Sequence, residues 1–71
     1  MIEAWVAMSA LRRARLSRGI SLLRAACETG IPVGRLSRAE RQLTRLSKAE
    51  RRRMAEFFST DETFLFEEVR Q

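Results

Sequence analysis

Apolar residues recur along this chain at three- and four-residue spacings, and no segment alternates apolar with polar as a half-buried strand does, so the pattern predicts an all-α protein. Breakers divide it into short helices. Gly19 closes the first, and Ser21 follows as the N-cap of a second helix from about Leu22 to Glu28. Gly30 closes that one. A third starts near Pro32, since proline is tolerated in a first turn, and runs to about Gln42. After a linker, Ser47 and Glu50 form an S-x-x-E capping box that opens a fourth helix through about Phe58. Thr60 is the next cap, starting a short fifth helix with Asp61 and Glu62 in its first turn, where acidic groups suit the helix dipole. Ile20, Leu23, Ala26, Ile31, Leu36, Met54, Phe57 and Phe58 are the expected core.

The N-terminal segment admits two readings. A continuous helix from Ile2 to Ser17 carries two apolar faces at 100° per residue. Ala4, Ala7, Met8, Leu11 and Ala14 form one, and Ile2, Trp5, Val6 and Leu16 lie roughly opposite. A small domain covers one of these with its own core, and the other then needs a partner. In the second reading Ser9 is an N-cap, and residues 1–8 leave the helix there and fold back over the same core.

Composition narrows the picture. Seventy-one residues, 45% hydrophobic and 32% charged, make one small globular domain, residues 1–71: an arm or extension (1–8), a core (9–58) and an acidic, aromatic C-terminal segment (59–71). Domains this small usually need a disulfide, a metal or a partner subunit. One cysteine, Cys27, and no histidine remove an internal disulfide, a Cys/His zinc site and His-based acid/base chemistry, which leaves self-association. Cys27 reads as a small, partly buried filler, or as a redox-sensing thiol. No run approaches the ~20 apolar residues that span a bilayer, and no secretion signal precedes the domain, so a cytoplasmic protein is expected.

Charge is uneven. Residues 1–58 hold thirteen basic and five acidic side chains, while residues 59–71 hold one and four. A basic body with an acidic tail suits a domain that meets a polyanion on one face and something else on another.

Helix 2, Gly30 in the turn and helix 3 have the layout of a helix-turn-helix over about residues 21–42, and from Leu11 to Phe66 the chain resembles the Cro/phage-repressor (XRE) family of transcriptional regulators. The best local match is Leu36-Ser37-Arg38-Ala39-Glu40-Arg41, which looks like the family's L-S-R-I-E-R-G stretch. Arg15, Gly19-Ile20-Ser21, Ala26 and Thr29-Gly30-Ile31 fall at the family's intervals, as do Ser47, Met54-Ala55 and Phe58. Thr60 to Leu65 looks like its S-P-D-E-L-L ending after one deletion. The resemblance implies a compact repressor-like domain of four to five helices that reads double-stranded DNA as a homodimer, in a bacterial or phage-infected cell. There are departures. Leu22 stands where the family carries a glutamine, Pro32-Val33-Gly34 replaces polar residues, Arg51 replaces a core leucine, and Ala14, Ala25 and Ala39 replace larger side chains.

A helix in the major groove presents its N-terminal half to base edges. Arg35 and Arg38, three apart and so on one face, are the expected guanine readers, and Arg38 is also a candidate for a structural or phosphate role. Val33 can touch a thymine methyl, and Gly34 allows close backbone approach. Arg41 and Arg45 have left the groove-facing half and fit phosphates, as does Lys48. Ser21 and Leu22 open helix 2, whose N-terminus is an anion site, although Ser21 is equally an N-cap. Arg51, Arg52 and Arg53 extend the basic footprint or form a solvated face. Phe64, Leu65, Phe66 and Val69 form an apolar cluster. With Ile2, Trp5 and Val6, the residues Phe64, Phe66 and Val69 are the expected dimer contact, or the cluster completes the monomer core.

The expected function is a DNA-binding regulator, a repressor on a palindromic operator. The alternative is a protein-interaction module on the same fold, an antirepressor or inhibitor of another regulator, contacting its partner through the acidic, aromatic segment. An enzyme is not expected, because no nucleophile and base pair assembles without histidine or tyrosine. No cofactor and no membrane partner are expected, since the basic residues surround the helices and form no single stripe.

Overall fold

A computed structural model describes residues 8–66. They form five α-helices and no strand: α1 (Ala10–Ser17), α2 (Leu22–Thr29), α3 (Val33–Glu40), α4 (Lys48–Phe58) and α5 (Glu62–Phe66). Helix α2 packs against α3 and α4, and α5 closes the bundle by packing against α1 and α4. No helix among the described residues is long and apolar enough to cross a membrane.

The starts follow local chemistry. Ser9, Ser21 and Ser47 cap α1, α2 and α4, each hydroxyl accepting from the amide three residues on, and Glu50 completes the box by accepting from the Ser47 amide. Ser9 therefore starts α1, as the second reading of the N-terminal segment has it. Pro32 precedes α3 without a side-chain cap, and its ring holds φ at −54°, which presets the chain's turn into the helix.

The ends share one device. Helix α1 stops in a Schellman motif, with the Ile20 amide reaching back to the Arg15 carbonyl and Gly19 at φ +66°. Helix α2 stops at Gly30, φ +76°, whose amide bonds Ala26. Helices α3 and α4 use the same left-handed turn without glycine: Gln42 (φ 62°) and Ser59 (φ 55°) take the place, with Leu43 bonding Arg38 and Thr60 bonding Ala55. The third helix thus ends at Glu40, two residues short of the expected Gln42.

The core is Leu11, Ala14, Ala25, Ala26, Ile31, Leu36, Leu46, Met54, Ala55, Phe58 and Leu65. Leu23 does not belong to it and is 63% exposed. At 100° per residue, Ala25, Ala26 and Thr29 define the inner stripe of α2, and Leu22 falls on it while Leu23 lies about a third of a turn away. Leu22 accordingly packs against the core, as do Ile20 and Phe57 at its margin. In the C-terminal cluster Leu65 is buried and Phe66 packs beside it, whereas Phe64 points outward.

One polar contact runs through this interior. The Arg15 guanidinium grips Glu40 with two bonds, Nε to Oε2 at 2.6 Å and Nη2 to Oε1 at 3.0 Å, and donates a third to the Ile20 carbonyl at 2.8 Å. Both residues are buried, so this pair ties α1 to the end of α3.

Candidate nucleic-acid interface

Two short helices and a three-residue turn set the candidate surface. Leu36 and Glu40 anchor the inner side of α3, and Ala39 packs at the core margin on the far side of Leu36 from Glu40 in angle. The opposite stripe then carries Gly34, Arg38 and, in continuation, Arg41, at spacings of four and three. All three are exposed, and Val33 beside them is 43% exposed. Side chains on a helix lean toward its N-terminus. Arg38 does so here: its Nη1 lies 3.6 Å from where a Cβ on Gly34 would stand. The guanidinium thus lies over the first turn of α3, at a distance where a Cβ on residue 34 would make ordinary contact. Arg38 makes no salt bridge among the described residues.

Arg35 sits differently. It lies off the exposed stripe toward α4, where the Glu50 carboxylate receives it: Nε donates to both oxygens at 3.1 and 2.9 Å, and Nη2 donates to Oε1 at 2.8 Å. Nη2 also donates to the Arg45 carbonyl at 3.2 Å. This bidentate pair lowers the Glu50 carboxyl from its usual 4.5 to about 2, chiefly through the Arg35 bonds and next through the Ser47 amide. The same bonds raise Arg35 above its ordinary value. Of the two expected base readers, Arg35 thus commits Nε and Nη2 to α4 and the linker, and Arg38 is the guanidinium on the outward stripe.

The phosphate candidates divide as well. Arg41, Arg45 and Lys48 are exposed, with Arg41 leaning back on the Ser37 carbonyl at 3.5 Å. Ser21 is exposed and its hydroxyl is occupied by the Arg24 amide at 3.0 Å. Leu22 turns its side chain inward, so only its backbone amide faces an anion at the α2 N-terminus. Arg24, one turn into α2 and exposed, is a cation the sequence reading passed over. Within the Arg51–Arg53 run, Arg51 donates to the Leu46 carbonyl at 2.7 Å and Arg53 to the Thr29 carbonyl at 2.8 Å. These two fasten the linker and the end of α2, and Arg52 alone is a plain solvated cation in that run.

Of the expected dimer residues, Phe64 is 59% exposed, Phe66 is half-buried, and Ile2, Trp5, Val6 and Val69 lie outside the described residues. Cys27 is exposed on the outer face of α2, so it is not a core filler.

Compared with protein-family models, with curated proteins and with solved structures, the chain matches none of them.

Proposed function

We propose that this chain is a sequence-specific DNA-binding regulator of the helix-turn-helix type, a repressor acting as a homodimer in the cytoplasm. The observation that carries this reading is the outward stripe of α3: Gly34, Arg38 and Arg41, flanked by Val33, with no acidic residue on it. A helix with a small residue and a free guanidinium in its first two turns can approach base edges closely and donate two bonds to guanine O6 and N7. Arg41, Arg45 and Lys48 follow it as phosphate contacts that set position without reading sequence. The resemblance of Leu36–Arg41 to the recognition-helix ending of phage repressors supports the same reading. The protein has no chemistry to perform in this role.

A second reading has its own support. Arg35 is bound within the chain, and Leu23 is a large apolar residue exposed on the neighbouring helix. Both suit a module that has turned from DNA to another protein.

Binding to duplexes selected from a randomised pool, across a salt series, separates the two. For operator reading, Arg38→Ala lowers affinity for the selected sequence by roughly 5- to 150-fold, the ~1–3 kcal/mol of a bidentate base contact, and relaxes preference at one base pair. Arg41→Ala weakens all sequences alike and reduces the salt slope by about one. Salt-sensitive binding with no enriched sequence, or no binding, overturns operator reading and favours the protein-interaction module.

A further inference from the structure

Residues 41–47 join α3 to α4. Near α3 this linker is held by its own backbone, with the Gln42 and Leu43 amides donating to the Ala39 and Arg38 carbonyls. Near α4 side chains take over, one residue after another. Arg35 Nη2 donates to the Arg45 carbonyl at 3.2 Å, Arg51 Nη1 donates to the Leu46 carbonyl at 2.7 Å, and the Glu50 carboxylate accepts from the Ser47 amide at 2.8 Å. Arg35 and Glu50 are themselves joined by contacts of 2.8, 2.9 and 3.1 Å, so α3, the linker and the first turn of α4 form one hydrogen-bonded unit.

We propose that Arg35 and Glu50 are positioning residues for DNA binding: by holding the backbone of Arg45 and Ser47 they set Arg45 and Lys48 to meet phosphates while Arg38 on α3 meets bases. The inference rests on the operator-reading proposal and deepens it. Three observations lead there. The first is what the clamp holds. Arg45 is one of the clamped residues and Lys48 follows directly on Ser47; both are exposed, and neither makes a salt bridge among the described residues. A loop and long side chains that must be ordered at the moment of binding lose affinity, and fixing the backbone beforehand removes part of that cost. The second is how little the pair does for the fold. Its side chains are 32% and 15% exposed, and an ion pair so placed contributes little to stability by itself. The third is charge. Glu50 lies in the first turn of α4 with Lys48, and a bare carboxylate beside a phosphate is repelled. Arg35 covers that carboxylate, so the pair is close to neutral towards DNA and its effect there is geometric.

The other use of Arg35 is direct contact with DNA. With Nε and Nη2 taken, such a contact requires the guanidinium to leave Glu50 or to work through Nη1 alone. The two uses give opposite signs when Glu50 is removed: a freed Arg35 adds a cation to the interface, whereas a broken clamp loosens the two it held.

The experiment measures binding of the full chain to duplexes selected from a randomised pool, across a salt series, for the parent, Glu50→Ala, Arg45→Ala and the double variant. Glu50→Ala removes one negative charge, so charge alone tightens binding. A broken clamp weakens it instead, by roughly 3- to 10-fold, the cost of ordering a long side chain on the DNA. The salt slope is the second readout. Arg45→Ala lowers it by about one per subunit in the parent and leaves it nearly unchanged in the Glu50→Ala background, where that contact is already loose. Circular dichroism checks that each variant keeps its helices, and Arg35→Met, the other half of the clamp, takes the place of Glu50→Ala in the cycle should that variant unfold. Binding by Glu50→Ala as tight as the parent's or tighter, a steeper slope, or effects of the two substitutions that simply add each overturn the proposal and leave operator reading intact. A parent that enriches no sequence overturns operator reading, and the proposal with it.

Discussion

Removing the Glu40 carboxylate is the sharpest perturbation this structure offers. Glu40 is 5% exposed and Arg15 8%, and between them pass two charge-assisted bonds of 2.6 and 3.0 Å. Glu40→Ala leaves the Arg15 guanidinium inside the bundle with the Ile20 carbonyl as its remaining partner. A buried charge stripped of its counter-ion costs about 3–5 kcal/mol. A 71-residue domain at about 0.05–0.15 kcal/mol per residue has roughly 4–10 kcal/mol in all, so the single variant forfeits a third of its stability or more. For a domain of this size, where 1 kcal/mol shifts Tm by about 4–8 °C, the loss is at least about 12 °C. The pair itself is another matter, because two buried charges are costly to desolvate and their attraction roughly offsets that cost. Arg15→Met combined with Glu40→Leu therefore recovers most of the loss, and urea unfolding followed by circular dichroism of the parent, Arg15→Met, Glu40→Leu and the double variant measures a coupling of about 3 kcal/mol. A Glu40→Ala protein within 1 kcal/mol of the parent, or a double variant no better than the single, refutes the assignment of this pair as the buried tie between α1 and α3.

Three smaller perturbations follow from the same geometry. Ser59→Gly and Gln42→Gly each relieve a left-handed, non-glycine residue at a helix end and raise stability by roughly 0.5–1 kcal/mol, whereas Gly30→Ala, at φ +76°, lowers it by about 1 kcal/mol; thermal unfolding shows both signs. Glu50 has a lowered pKa, so its contribution is complete above 4.5 and disappears as pH falls toward 2. Glu50→Gln therefore costs about 1 kcal/mol at neutral pH, discounted for partial exposure, and its deficit against the parent vanishes at about pH 2 in paired urea titrations. Gly34→Ala places a methyl in ordinary contact with Arg38 and improves helix propensity, so it stabilises the fold by roughly 0.5–1 kcal/mol; on the DNA-reading proposal it also weakens operator binding, a split that mobility shifts and melting read together.

The helices were legible because their signals are local. A serine hydroxyl, a glycine at positive φ and a three- or four-residue apolar rhythm act within one turn, so Ser9, Ser21 and Ser47 and the ends at Gly19 and Gly30 can be read without knowing the fold. Of the two ends that carry no glycine, the one at Gln42 is where a boundary slipped, from the expected Gln42 back to Glu40, whereas the helix before Ser59 ends at Phe58 as expected. Leu23 shows the other limit. On an eight-residue helix the inner stripe is set by three small residues, Ala25, Ala26 and Thr29, and the larger neighbouring side chain is the poorer guide to which side faces in.

The arginines were the least legible part, and they bear most on function. A body with thirteen basic side chains reads as a polyanion-binding surface, yet Arg15 is buried on Glu40, Arg35 is gripped by Glu50, Arg51 and Arg53 hold backbone carbonyls, and Arg18 bonds the Ala14 carbonyl and lies 5.1 Å from the Phe58 ring centre. Nothing in their sequence neighbourhoods marks Arg15, Arg35 and Arg53, because their partners Glu40, Glu50 and Thr29 lie 15 to 25 residues away. With alanines filling much of a thin core, long cationic side chains serve here as cross-braces, their stems packing and their heads satisfying carbonyls that short loops leave open. Beside exposed Arg12 and Arg52, the cations left near the candidate face are fewer and better placed than the charge count suggests: Arg24 on α2, Arg38 on α3, Arg41 at its end, Arg45 in the linker and Lys48 at the start of α4. On the DNA-binding proposal, the salt dependence is then set by about five contacts per subunit, and not by thirteen.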